Sequence, residues 1–245
     1  YRIEDPKIFI ENLPGADLMF DWSGRMLIPD WSVDRKSSHG ARLYAVSHSE
    51  ESTNDQILEA QEIAREGTHS RGDFELADLL SHADYRIRQL AQAELVRREA
   101  IDILVDVITY EDDRYARLHG IWGLGQVARN LASRGKRITR AMSPLEELLT
   151  DPDSEVRAQA AKILGDPTYP PATEALRERL SDESNRVRYH AAITLGKLKQ
   201  PETVPFLAGV LVENQDRDPF LRHAVATALW RIGDRKALAE LSVHP

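Results

Sequence analysis

The sequence predicts a mainly α protein: a right-handed α-α superhelix of paired helices over residues 70–245, preceded by a linker helix over 51–69 and a short antiparallel β segment over 1–50. Three observations carry that prediction. An Asp, or in one copy a Ser, four residues before an Arg recurs five times at intervals typical of helical solenoids. An apolar residue follows each recurrence at a fixed offset. The first fifty residues instead alternate apolar and polar positions between turn signals.

In that first stretch Lys7 to Ile10, Asp17 to Phe20, Arg25 to Ile28 and Arg42 to Val46 are short apolar or alternating runs. Asn12-Leu13-Pro14-Gly15, Trp22-Ser23-Gly24 and a polar loop from Ser32 to Gly40 separate them, so about four antiparallel strands are expected. A lone sheet of that size leaves both faces and both edges open, and a covering element is expected for it. From Thr53 to Glu66 the spacing of Ile57, Leu58, Gln61, Ile63 and Ala64 predicts a helix opened by an Asn/Asp cap and closed at Gly67.

The repeats align on Arg88, Arg117, Arg157, Arg188 and Arg222, at spacings of 29, 40, 31 and 34 residues. Asp84, Asp113, Asp153 and Asp218 stand four residues before their Arg, with Ser184 in the remaining copy. A carboxylate or hydroxyl there can accept from the open amides of a first helical turn, which favours helix initiation by about 1 kcal/mol. Seven residues after each Arg comes Leu95, Leu124, Leu164, Leu195 or Leu229, and Gly125, Gly165 and Gly196 follow directly in three copies. A Leu-Gly pair is expected to supply a last core contact and a left-handed residue after the helix. Ala91, Gly120, Ala160, Ala161, Ala191, Ala192 and Ala226 are small enough for helices to approach closely. First helices are legible in Phe74 to Leu80, Ala100 to Ile108, Pro144 to Leu149, Ala172 to Leu180 and Val204 to Val212. Pro144, Pro171 and Pro201 are expected at or just before helix starts. Lys236 to Leu241, with apolar Leu238, Leu241 and Val243, reads as the first helix of a sixth pair. The array is therefore expected to continue, and the chain to be a segment of something longer.

Composition narrows the function classes. With 32 basic and 40 acidic residues the net charge is −8, which disfavours a broad phosphate-binding face and sets protein above nucleic acid as the expected partner. There is no cysteine, so disulfides, thiol nucleophiles, thiolate metal sites and a covalently attached c-type haem are excluded. No apolar run reaches the length of a membrane span.

The segments Asp153-Ser-Glu-Val-Arg-Ala-Gln-Ala-Ala-Lys-Ile-Leu-Gly165 and Ser184-Asn-Arg-Val-Arg-Tyr-His-Ala-Ala-Ile-Thr-Leu-Gly196 resemble HEAT repeats of the short bacterial type. Val96 and Trp230 depart from the pattern where the others carry glycine. The stretch from Leu13 to Trp31, closing with Gly40 to Val46, resembles the last blade of propellers similar to sorbosone and glucose dehydrogenases. The resemblance implies a large secreted bacterial protein in which a propeller runs into HEAT repeats and a cytochrome c domain follows. It implies a periplasmic or extracellular, quinone- or haem-linked dehydrogenase as parent, with neither redox element in this chain.

For the repeat residues Asp84, Arg88, Asp113, Arg117, Asp153, Arg157, Arg188, Asp218 and Arg222, turn caps and repeat-to-repeat bonds are the expected roles, not acid–base catalysis. His119 and His190 fall two residues after a repeat Arg and His223 one after, but the intervening copy carries Gln159, so no metal site is expected. Arg129, Arg134, Lys136, Arg137 and Arg140 form a basic stretch without interleaved aromatics. It reads as a solvated loop between two helices that could still dock an acidic partner. Trp22 and Trp31 suit packing between blades, and Trp122 and Trp230 suit a helical core. Asp151-Pro-Asp-Ser-Glu lacks the glycine and distal glutamate of a calcium loop. No cofactor, metal or catalytic residue is expected on this chain. The expected function is a protein-interaction or interdomain scaffold, with part of a dehydrogenase and nucleic-acid binding as the alternatives.

Overall fold

A computed structural model of the chain describes residues 17–30, 42–47 and 54–242, which fall into two compact units, 1–68 and 69–245.

In the first unit β1 (Met19–Phe20), β2 (Met26–Asp30) and β3 (Arg42–Val46) form an antiparallel sheet in the order β1-β2-β3. Met19 pairs with Leu27, and Leu27 with Ala45. Asp21 builds the β1–β2 turn. Its Oδ1 accepts from the Ser23 amide at 2.8 Å, the Ser23 hydroxyl at 2.7 Å and the Arg25 amide at 3.0 Å, while Arg25 Nε donates to Oδ2 at 2.7 Å. Burial works to raise this carboxyl, but those donors hold it at about 2. Gly24 closes the turn at φ +75°. Ile28 is buried, whereas Leu18, Met19, Phe20 and Leu43 are exposed. Lys7 to Ile10, Asn12 to Gly15, Trp31 and the loop 32–40 lie outside the described residues.

Helix α1 (Asp55–Glu66) starts where Asn54 Oδ1 accepts from the Gln56 amide at 2.9 Å and ends where Gly67, at φ +78°, donates to the Ile63 carbonyl.

The second unit is a solenoid of helix pairs. They are α2 (Asp73–Asp78) with α3 (Tyr85–Arg97), α4 (Ile101–Tyr110) with α5 (Arg114–Ser133), α6 (Thr139–Glu147) with α7 (Ser154–Ile163), α8 (Thr173–Glu178) with α9 (Asn185–Leu198), and α10 (Val204–Asn214) with α11 (Pro219–Ile232); α12 (Arg235–Ser242) follows. The side chains of Leu238 and Leu241, and all of Val243, lie outside the described residues. The second helices α3, α5, α7, α9 and α11 stack on one another. Leu95, Ile121, Leu124 and Leu195 on them, and Leu164 just after α7, share one buried core with Leu76, Leu104, Leu145, Leu176 and Leu207 of the first helices.

Four expectations need correction. Pro144 lies inside α6, which already begins at Thr139. Burial of Ala141, Met142 and Leu145 holds that turn helical despite the lost amide. Trp230 is 80% exposed instead of core-packed. Ala226 is exposed because α11 turns Leu221, Ala224, Val225 and Ala228 inward. Ser184 stands at the start of α9 but its hydroxyl caps nothing.

Candidate functional site

The functional surface is built outward from the turns that start the second helices. Asp84 Oδ1 accepts from the Arg86 amide, Asp113 Oδ1 from that of Ala116 and Asp153 Oδ1 from that of Glu155, each at 2.8 Å. Asp218 Oδ1 takes two, from Phe220 at 2.9 Å and Leu221 at 3.0 Å. These bonds satisfy amides that a helix leaves open at its N-terminus.

Four residues after each cap position comes the repeat Arg, and it ties neighbouring elements together. Arg157 is the most enclosed. Its Nη1 donates to the Asp151 carbonyl at 2.8 Å, and its Nε and Nη2 form a two-pronged pair with Asp182, both at 2.9 Å. Burial pushes the Asp182 carboxyl up, and Arg157 with the Ser184 amide overrides it to hold the group below its ordinary value. Arg117 Nε donates to the Ile108 carbonyl at 3.2 Å and its Nη2 pairs with Asp151. Arg188 Nε reaches the Leu180 carbonyl at 2.9 Å, with Glu213 Oε2 3.1 Å from Nη2. Arg88 Nη1 donates to the carbonyls of His82 and Ala83 at 2.6 and 3.0 Å. Arg222 meets Asp216 at 3.0 Å at an exposed site. Sequence reasoning missed the acids Asp151 and Asp182. The signal was present, since Asp151, Asp182 and Asp216 each stand six residues before a repeat Arg.

Gly125, Gly165 and Gly196 have a different role from the one expected. None has a positive φ, and Gly125 and Gly196 lie within α5 and α9. A Cβ on Gly125 would stand 2.5 Å from Ile163 Cγ2, on Gly165 2.6 Å from Thr194 Oγ1, and on Gly196 2.5 Å from Ala228 Cα. They are glycine because the next second helix presses against them. Trp230 occupies the matching position on α11.

Polar side chains also bond one second helix to the next. Arg88 Nε donates to His119 Nε2 at 3.3 Å, so His119 carries its proton on Nδ1 and donates it to Gln92 Oε1 at 2.6 Å. Burial, reinforced by Arg88, lowers His119 to about 4. The Trp122 indole donates to Gln159 Oε1 at 3.0 Å, Gln159 Nε2 to Glu155 Oε1 at 2.7 Å, and Arg186 Nε to Glu155 Oε2 at 2.7 Å. His119, Gln92 and Trp122 line a recess of about 320 Å³. Burial also lowers His190 to about 4. His223 is exposed and lies within 3.5 Å of the Thr227 hydroxyl. Among the described residues no group of three histidine or carboxylate side chains could hold a metal ion.

The basic stretch is not one loop. Arg129 sits on α5 and meets Asp166 at 3.2 Å, Arg134 pairs with Glu99, and Arg140 on α6 meets Asp102 at 2.5 Å. The Lys136 and Arg137 side chains make no hydrogen bond or ion pair among the described residues. Three of the five cations are thus already matched by acids of the same chain. Among the described residues, no helix is long and apolar enough to cross a membrane.

A model of HEAT repeats matches residues 101–188, 142–218 and 173–242, which together reach across more than half of the chain. No curated protein matches it. Among solved structures, the complex of CpcE and CpcF of phycocyanin lyase from Nostoc is 19% identical, covers 70% of this chain and 69% of that one, and has a TM-score of 0.52. A designed armadillo repeat protein is 18% identical over 78% of this chain and 82% of that one, with a TM-score of 0.48. Human deoxyhypusine hydroxylase is 15% identical over 73% and 66%, with a TM-score of 0.44. At such identity the likeness to the Nostoc complex is one of fold alone.

Proposed function

We propose, of a chain that belongs to the HEAT-repeat family, that its solenoid is a non-catalytic scaffold that holds another protein, or a flanking part of its own, on the edge where the second helices begin. One observation carries this reading. Tyr85 on α3, Tyr115 on α5 and Phe220 on α11 lie in the first turns of their helices and are all exposed, Tyr115 at 58% and Phe220 at 75%. Exposed aromatics spaced along one edge are what protein interfaces enrich. The titratable groups behind that edge support it too, because Arg157, Asp182 and His119 are already engaged with neighbouring repeats. Three matched cations in the basic stretch weigh against nucleic acid.

The test is site-specific photo-crosslinking in cells that make the natural protein, from benzoylphenylalanine at Tyr115 and, for comparison, at Trp230, exposed near the opposite end of the second helices. A discrete protein adduct, intermolecular or to a flanking segment, from Tyr115 and none from Trp230 is expected. Equal yields, or none from either, would sink the reading.

The three-stranded sheet favours a second, wider reading. Its exposed Leu18, Met19, Phe20 and Leu43 suit burial against further blades of a propeller in an extracytoplasmic dehydrogenase-like protein. Reading the natural gene beyond Tyr1 and Pro245 decides it: blades upstream and a CxxCH motif downstream are expected, and neither being present would end it.

A further inference from the structure

Phe220 stands between two recesses of about 330 and 480 Å³, sizes at which side chains of a ligand fit. The first is walled by Tyr189, His190, Arg186 and Leu221, the second by Arg188, Glu213 and Arg217, and Asn185 and Asp218 belong to both. The Phe220 backbone is fixed, since its amide is one of the two that Asp218 caps. Its ring is nonetheless left in solvent. At the matching position of earlier repeats the side chain is engaged: Tyr115 lies under the Arg88 guanidinium at 4.9 Å, and Glu155 and Arg186 are bonded to each other.

Charge identifies the occupant. Among the described residues the Arg217 guanidinium bonds only the neighbouring Gln215, at 2.9 Å. Arg188 Nη2 lies within ion-pair distance of Glu213 but is not aligned for a hydrogen bond. His190 makes no hydrogen bond among the described residues, touches the Tyr189 ring edge-on, and is kept neutral at pH 7 by its burial. Of the two facing carboxylates, Asp218 already receives two cap amides and the Asn185 side chain at 3.0 Å. With Arg186 already matched by Glu155, what the groove offers an anion is the buried, unbonded Nη2 of Arg188 and the Arg217 guanidinium, which has no acid partner among the described residues.

Building on the scaffold reading, we propose that the groove between α9 and α11 takes an acidic peptide segment whose single aromatic or aliphatic side chain covers Phe220 and whose carboxylates meet Arg217 and Arg188. Aromatic anchors in a pocket with charge complementarity around them set both affinity and partner choice.

The experiment is an NMR titration of the intact chain with acetyl-Asp-Glu-Phe-Asp-Glu-amide and with acetyl-Lys-Lys-Phe-Lys-Lys-amide. The acidic peptide should shift the Tyr189, His190 and Phe220 signals saturably, and the basic one should not. Phe220→Ala should weaken it about tenfold, and Arg217→Glu should reverse the preference between peptides. Both side chains are exposed, so folding is not at stake. Equal response to both peptides, or no saturable shift on α9 and α11, overturns the groove. If Tyr115 still crosslinks a protein in that case, the scaffold reading survives without it; if that adduct is missing too, both fall.

Discussion

The first junction of the solenoid, α3 against α5, and the three that follow are held by different means. In the later ones steric contact sets the spacing, with Gly125 on Ile163, Gly165 on Thr194 and Gly196 on Ala228. An Arg of one repeat also pairs with a turn acid of the next, as in Arg117–Asp151 and Arg157–Asp182. In the first junction Val96 stands where the glycine would be, and Arg88 meets a histidine instead of an acid. One fold thus tolerates two kinds of fastening, provided that each fixes the register of neighbouring second helices.

The strongest way to break that contrast is to remove the acid. Asp182→Ala leaves the enclosed Arg157 guanidinium with only the exposed Glu183, at 3.2 Å, as an acid partner, a loss of about 3 kcal/mol. Arg88→Ala in the first junction exposes no buried charge and should cost about 1 kcal/mol. Urea unfolding followed by circular dichroism compares them. If Asp182→Ala falls within about 1 kcal/mol of the parent, charge pairing does not hold the later junctions.

The pairing was only half legible in the sequence. The Asp caps four residues before each Arg could be read because their partners lie two or three residues away. Asp151 and Asp182 recur as visibly, six residues before an Arg, but they serve the Arg of a repeat 34 and 25 residues earlier, and local spacing does not say which Arg an acid meets. The Leu-Gly pairs misled for a related reason: glycine suits a helix end and a close approach equally, and only the length of α5, which runs on to Ser133, separates the two. A helical Trp230 suits a core by size and apolarity, yet it takes the place of those glycines and is 80% exposed.

Acid should loosen the first junction next. His119 is held near 4 by burial and Arg88, against an ordinary value of about 6.5, and it is neutral in the fold. Between about pH 6.5 and 4 the unfolded chain binds the proton that the folded chain refuses, so stability falls with falling pH, by roughly 2–3 kcal/mol at the lower end. His190 contributes with the same sign. His119→Gln, which keeps a polar partner for Gln92, should therefore remove only the first junction's share of the slope; an unchanged slope would mean that His119 is not buried neutral.

A steric probe of the later junctions comes next in size. Gly196→Ala places a methyl 2.5 Å from the Ala228 backbone, which cannot rotate away, and should cost about 2 kcal/mol. Gly125→Ala meets the γ2-methyl of Ile163, a side-chain group on the last residue of α7 and not backbone, and should cost less because that helix end can shift. Equal losses in urea unfolding would mean that helix spacing, not the identity of the facing atom, decides the cost.

The smallest expected effect is the most discriminating about the turns. Ser184 occupies the start of α9 with cap-like backbone angles, but its hydroxyl accepts no amide. Instead its own amide donates to Asp182 Oδ1 at 2.9 Å, on the carboxylate that also holds Arg157. Ser184→Ala should then change stability by no more than about 0.5 kcal/mol, whereas Asp153→Ala, which removes a working cap, should cost about 1 kcal/mol. In the Asp182→Ala background Ser184→Ala should still add nothing. A loss of a full cap's worth from Ser184→Ala would mean that the hydroxyl caps α9 in solution, and that the α9 turn is fastened like that of α7 and not through the acid it shares with the previous repeat.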